Sequence, residues 1–168
     1  MHGVGQFADT NTIMFAKLLI AMILGGIIGT ERSVLAGQSA GTRTFGLVSL
    51  GACLFIVIGN YVDASYLNIV SFDPLHMAAA IVTGIGFIGG GLIIFRGEAL
   101  HGVTTAAGLW IAAALGVAVG FGMYAVSIFA TLLALIIFTG MWYIEDRFKQ
   151  WFIARSAAQS HSSTPSVT

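Results

Sequence analysis

Charge is scarce in this sequence. Only 8% of its 168 residues are Asp, Glu, Lys or Arg, where a soluble domain carries about 25%. So few polar groups cannot cover a water-facing surface, which excludes a soluble enzyme, a nucleic-acid binder and a disordered regulator. Seven basic residues balance seven acidic ones, so no net field exists to draw in nucleic acid or acidic substrates. Cysteine is scarcer still. Cys53 is single, which excludes an internal disulfide, and its place inside an apolar run makes it a small core residue, because an unassisted thiol there stays protonated. What is present is apolar: 57% of the chain, with a mean hydropathy of +0.93. The chain reads as an integral membrane protein.

A helical crossing needs about 20 mostly apolar residues, and five such runs fall between charged or glycine-broken stretches. They lie at Thr12 to Thr30, Thr44 to Tyr61, Pro74 to Phe95, Val103 to Gly120 and Met123 to Ile144. The expected fold is therefore an all-α bundle of five transmembrane helices over residues 1–144. The first run is expected to stay as a helix rather than be cleaved as a signal peptide, because no basic segment precedes it and no small-residue cleavage site follows. Past Ile144, Phe148, Trp151 and Phe152 share one helical face beside Arg147, Lys149 and Arg155. That pattern predicts a short interfacial helix over 145–155, followed by a disordered, small and polar tail over 156–168.

Basic residues set the orientation, since cytoplasmic loops retain Lys and Arg. Arg32, Arg43, Arg96, Arg147, Lys149 and Arg155 fall on one side and only Lys17 on the other. The N-terminus is expected outside and the C-terminus in the cytoplasm. Tyr61, Tyr66, Trp142 and Tyr143 fall at the expected interfaces, where amphipathic rings prefer to sit.

Glycine is abundant, with 22 residues. In lipid, helices associate through close backbone contact, so small residues at every fourth position predict packing stripes. Helix one carries Ala21, Gly25 and Gly29; helix three Ala78, Gly86 and Gly90; helix four Gly108, Ala112, Gly116 and Gly120. Trp110, large among small neighbours, is expected to fill the space left by facing glycines. Bare backbone lining a passage or a docking face is the alternative reading of the stripes. The Gly84, Gly86, Gly89 spacing imitates a dinucleotide fingerprint but lacks the strand and βαβ unit that would give it meaning. Sliding the chain by 61 residues pairs Gly25 with Gly86, Gly29 with Gly90, Gly41 with Gly102, Thr44 with Thr105 and Gly59 with Gly120. That register suggests two parallel helix hairpins plus a fifth helix, with chance in a glycine-rich chain as its competitor.

Polar residues at membrane depth are costly, which makes each a candidate site. Glu31 ends helix one beside Arg32, and Gly41, Arg43 and Thr44 open helix two. A carboxylate there could take a bidentate bond from Arg32 or Arg43, or the three could be ordinary interfacial charges. Asp73 precedes Pro74 and has a local explanation as a helix cap. Arg96, Glu98 and His101 share a loop, where one histidine is too little for a metal site or proton switch. Thr83, Thr104 and Thr105 can return hydroxyl bonds to their own helices.

Taken in order, GTER at 29–32, AGTRTFGLVSLGACLF at 40–55, Asp73-Pro74 with AAAIVTGIGFIGGGLI at 78–93, and GVTTAAGLW at 102–110 resemble the MgtC/SapB membrane proteins. The likeness covers helices one to four. It implies a bacterial inner-membrane protein linked to growth at low magnesium and, in pathogens, to survival inside host cells. Some relatives continue into an ACT-like C-terminal domain, whereas here only the membrane part is expected. His76 stands where Arg would be expected in many relatives. No acidic cluster offers magnesium the oxygen ligands it prefers, and no nucleophile with a base suggests catalysis. The expected function is that of a non-enzymatic regulator, without metal or cofactor, that works through a membrane partner. A proton-translocating ATP synthase exemplifies such a partner; a second copy of the chain and the bilayer itself are the other expected partners. A magnesium or other ion transporter is the alternative, with backbone carbonyls lining the path.

Overall fold

The computed structural model describes residues 2–35, 37, 40–65, 73–97, 99–140, 143 and 147, and the side chains of 2–9, 65 and 96 lie outside that description. Its elements in order are α1 (His2–Val34), α2 (Thr42–Ser65), α3 (Pro74–Leu92), β1 (Ile94–Arg96), β2 (Ala99–His101), α4 (Val103–Gly120) and α5 (Tyr124–Gly140). The first four helices are long and apolar enough to cross a membrane, and the all-α multi-pass membrane bundle stands. At about 1.5 Å per residue α5 spans only about 25 Å; Tyr143 and Arg147 beyond it are also helical. The expected interfacial helix over 145–155, Arg147 apart, and the tail over 156–168 lie outside the described residues.

Helices α1, α2 and α4 pack against one another and form the core with α5. Buried side chains recur at helical spacing on each: Ala21, Leu24 and Ile28 on α1, Phe45, Ala52, Cys53 and Ile56 on α2, Leu109, Ala112 and Val119 on α4. On α5 the buried stripe is Ser127, Thr131 and Ala134. Ser127 and Thr131 return their hydroxyls to the carbonyls of Met123 and Ser127 at 2.9 and 2.8 Å, so neither polar group is left bare inside the bundle.

Glycine makes this core possible at four positions, two where α1 crosses α2 and two where α4 crosses it. A Cβ at Gly25 would lie 2.6 Å from the Phe45 carbonyl oxygen, and one at Gly29 would lie 2.7 Å from that of Gly41. One at Gly116 would strike the Ser49 carbonyl, and one at Gly120 would lie 2.7 Å from Ile56 Cβ. Helix α3 differs. Only Gly89 is buried along it, and nothing lies within 4 Å of a Cβ built at Gly86 or Gly90. The stripe expected on helix three is thus not a packing stripe: α3 leans on α4, with which its connecting hairpin is continuous, and only grazes α2. Trp110 is also not a gap filler, since it is 47% exposed on the side of α4 turned away from the core. Helices α1–α2 and α3–α4 are two successive hairpins, but the glycines that the 61-residue register pairs have different surroundings.

One connection differs from expectation, and a second, placed as expected, shows how its turn is made. The third span ends at Leu92 rather than Phe95, because Ile94–Arg96 pairs with Ala99–His101 as an antiparallel two-stranded hairpin. A β-branched and aromatic run beside Gly97, whose φ is 64°, supplies the strand preference and the positive φ that a two-residue turn needs. Between α4 and α5 the Met123 amide donates to the Ala118 carbonyl and the Gly122 amide to that of Val119, each at 2.9 Å. With Gly122 at φ 80° this is a Schellman stop, which turns the chain back at once.

Lys17 completes that end of α4. Its ammonium, half-buried in the first half of α1, donates to the Gly120 carbonyl at 2.9 Å. A cation at the negative end of a helix dipole, bonded to an otherwise open carbonyl, is worth about 1–2 kcal/mol. Lys17→Met is therefore expected to lower the thermal midpoint of the detergent-solubilised protein while Lys17→Arg largely restores it. Equal midpoints for the parent and Lys17→Met would show that the contact contributes nothing.

Candidate functional site

One end of the bundle gathers the polar residues. The last turn of α1 brings Glu31, Arg32 and Ser33 there, and the first turn of α2 brings Gly41 to Phe45. Phe45, fully buried, is the hub. The absent side chain of Gly29 lets α2 approach, since a Cβ there would lie 2.8 Å from Phe45 Cβ, and Gly108 of α4 does the same for the Phe45 ring, 2.9 Å from its Cε1. The same Gly108 position would meet Phe138 Cζ at 3.3 Å, which brings the end of α5 into the cluster. The Thr30 and Thr42 hydroxyls sit 2.9 Å apart. Thr30 also donates to the Gly26 carbonyl at 2.8 Å, so its proton is committed and Thr42 donates to it.

Glu31 and Arg32 are 8% and 5% exposed. Neighbours on a helix point about 100° apart and do not face each other. The Arg32 guanidinium instead lies over the Phe138 ring, 4.8 Å from its centroid, a cation–π contact. Its Nε, and Oε2 of Glu31, are buried without a hydrogen-bond partner among the described residues. Arg43 is exposed, and no ion pair joins it to Glu31 among the described residues. The bidentate pairing weighed from the sequence is therefore not made. Arg43 instead lines a small polar pocket of about 380 Å³ with Ser33, Gly41, Thr42 and Thr44.

The remaining candidates are dispersed. Thr105 is buried and, three residues before Gly108, shares its face of α4. Thr104 is exposed. Asp73 lies at the opposite end of the bundle and caps α3, accepting from the amides of Leu75 and His76 at 2.9 and 3.3 Å. Thr83, exposed, donates to the Ala79 carbonyl at 2.9 Å. Arg96 lies in the hairpin opposite Ala99, and Glu98 is outside the described residues. Among the described residues no group of three or more His, Cys, Asp or Glu could hold a metal. Gly108 was marked in the sequence only as a packing glycine, and Phe45 and Phe138 were not singled out, although Phe138 continues the helical spacing of the buried α5 residues from Ser127.

A second feature follows from the stand-off of α3. Between α2 and α3 runs an apolar groove of about 620 Å³, with Gly51 and Ala52 on one wall and Ala80, Gly84 and Ile88 on the other. Nothing lies within 4 Å of a Cβ built at Gly51 or Gly84. Small residues on both walls leave room for a further backbone.

The model of the MgtC family matches residues 18–147, which takes in all of this geometry from Lys17's neighbour to Arg147. The chain belongs to the MgtC family. Protein MgtC of Salmonella typhimurium (strain 14028s) is 41% identical to this MgtC-family chain over 119 residues, covering 71% of it and 48% of the relative. YhiD of Escherichia coli (strain K12), provisionally titled a magnesium transporter, is 41% identical over 123 residues, covering 72% of this chain and 57% of its own length. Protein SrpB of Synechococcus elongatus is 34% identical over 134 residues, covering 74% and 72%. The chain thus spans about half the length of several curated relatives it matches. No solved structure matches it. Of these three names YhiD's alone mentions magnesium, and none of the three describes an enzyme.

Proposed function

We propose that the chain is a non-enzymatic regulator in the bacterial inner membrane, supporting growth when magnesium is limiting, and that it acts by receiving a transmembrane helix of a partner in the α2/α3 groove. The polar end faces the cytoplasm, as the six-to-one distribution of basic residues favours. Membrane-embedded machinery of ion or proton homeostasis, such as a proton-translocating ATP synthase, is the class of partner intended. The observation that carries the reading is the groove: the glycines of α1 and α4 close the interior of the bundle, whereas those at positions 51 and 84 stand open toward the membrane. Transport is the second reading, favoured by the buried, unpartnered Oε2 of Glu31, an oxygen that a passing cation could use.

Gly84→Phe separates the two. A ring at that position fills the groove without meeting the core, so the protein should accumulate and remain monodisperse while complementation of growth at low magnesium is lost. The parent, purified into liposomes, should carry no magnesium flux above empty vesicles. Flux in the parent that Gly84→Phe leaves unchanged, or full complementation by Gly84→Phe, would sink the regulatory reading.

A further inference from the structure

The hairpin between α3 and α4 is exposed at every described side chain, and its register divides those side chains between two faces. Residues paired directly across an antiparallel ladder share a face, and successive residues alternate. Phe95 pairs with Leu100; Ile94 pairs with His101, and position 96 with Ala99. One face therefore presents Phe95, 77% exposed, and Leu100, 49% exposed. The alternate face carries Ala99 and His101, with Ile94, 45% exposed, at its membrane-proximal end beside the close of α3.

Two physical demands then fix its depth. Both outer edges of a two-stranded sheet carry unpaired amides and carbonyls, and no other described backbone group bonds to them. Such edges are not tolerated in lipid hydrocarbon. An exposed Phe–Leu pair is equally unsuited to bulk water. The chain itself supplies the position, because α3 leaves the span at Leu92 and α4 enters it at Val103, so the hairpin cannot travel far from the rim. Val34 and Leu35, 72% and 59% exposed just beyond the polar turn of α1, extend the apolar band at that same end.

We infer that the hairpin is a membrane-interface anchor, lying in the lipid headgroup layer with Phe95 and Leu100 directed into the acyl boundary and Ala99 and His101 on the opposite face, toward water. An amphipathic element of this kind sinks its apolar face by about 5–10 Å, deep enough to wet Phe95 with acyl chain while its edges keep water and headgroups as partners. It would hold the α3–α4 connection flat against the membrane and so fix the tilt of α3 beside its groove, without depending on what occupies that groove.

The chain has one cysteine, so Cys53→Ala gives a background for single spin labels. Nitroxides are placed one at a time through Phe95→Cys, Ala99→Cys, Leu100→Cys and His101→Cys, in liposomes of phosphatidylethanolamine and phosphatidylglycerol, with circular dichroism verifying that each labelled protein keeps the parent's helicity. Collisions with oxygen should exceed those with an aqueous nickel chelate at 95 and 100, and the ratio should reverse at 99 and 101. Four labels equally open to nickel would place the hairpin in water and overturn the inference. Labels at 95 and 100 shielded from both quenchers would mean that protein covers them, and would overturn it equally. A loss of alternation with depth common to all four would refute the assigned faces.

Discussion

Gly116→Ala is expected to lower the yield of folded protein sharply, and Gly90→Leu to leave it intact. The two glycines look alike in the sequence, each in a small-residue stripe of an apolar helix. A Cβ at Gly116 would strike the Ser49 carbonyl and lie 3.0 Å from Ala52 Cβ, whereas nothing is within 4 Å of one at Gly90. The obstacle at Gly116 is backbone, which cannot rotate away as a side chain can, so α2 must move as a whole and take Phe45 and Ile56 with it. Overpacking commonly costs about 1–3 kcal/mol where side chains can adjust, and a rigid carbonyl puts this case at or above the upper end. Against a total stability of about 5–15 kcal/mol, that loss is large. Size-exclusion profiles in detergent should show the Gly116→Ala protein aggregated or much reduced and Gly90→Leu monodisperse at the parent's level. A well-folded Gly116→Ala protein would mean that α2 and α4 do not cross at Ser49.

Those same glycines mark where the sequence could be read and where it could not. Four long spans and their order were legible, because length and hydropathy are one-dimensional properties. The buried faces of α1 and α4 were legible too, since Gly25, Gly29, Gly116 and Gly120 recur at helical spacing. Helix α3 carries the same pattern and packs little, because a small-residue stripe states only that close approach is allowed, and whether a neighbour arrives depends on connections. Here the Ile94–His101 hairpin joins α3 to α4, and α3 packs on α4 more than on α2. That hairpin was itself hidden inside an apolar run, where Ile93, Ile94 and Phe95 extend a helical pattern as readily as they form a strand. At the polar end, Glu31 and Arg32 were visible as costly residues, but their surroundings were not. Phe138 reaches Arg32 from more than 100 positions away, and no local spacing reports such a meeting.

Glu31→Gln is expected to leave the protein folded and to remove its support of growth at low magnesium. Glu31 is 8% exposed and its Oε2 has no hydrogen-bond partner among the described residues. A buried carboxylate in that state costs more than a neutral amide of the same shape, so the substitution should not reduce folded yield. What it takes away is an acceptor that no described residue uses, as expected of a group kept for a ligand or partner. Arg32 offers the contrast. Its guanidinium lies 4.8 Å from the Phe138 centroid, a contact worth about 1–2 kcal/mol when desolvated, so Arg32→Met should lower the thermal midpoint as well as activity. Arg43, exposed and apart from Glu31, should change stability by no more than about 0.5 kcal/mol when made Gln. Combining Glu31→Gln with Arg43→Gln should give the sum of the two single effects, since residues without shared partners add. Thermal midpoints for the four proteins, with growth at low magnesium at matched protein levels, check all of these together. A double change milder than the sum would restore an ion pair between α1 and α2. Loss of folded protein in step with growth in Glu31→Gln would make Glu31 a structural residue and leave the polar end without a functional group.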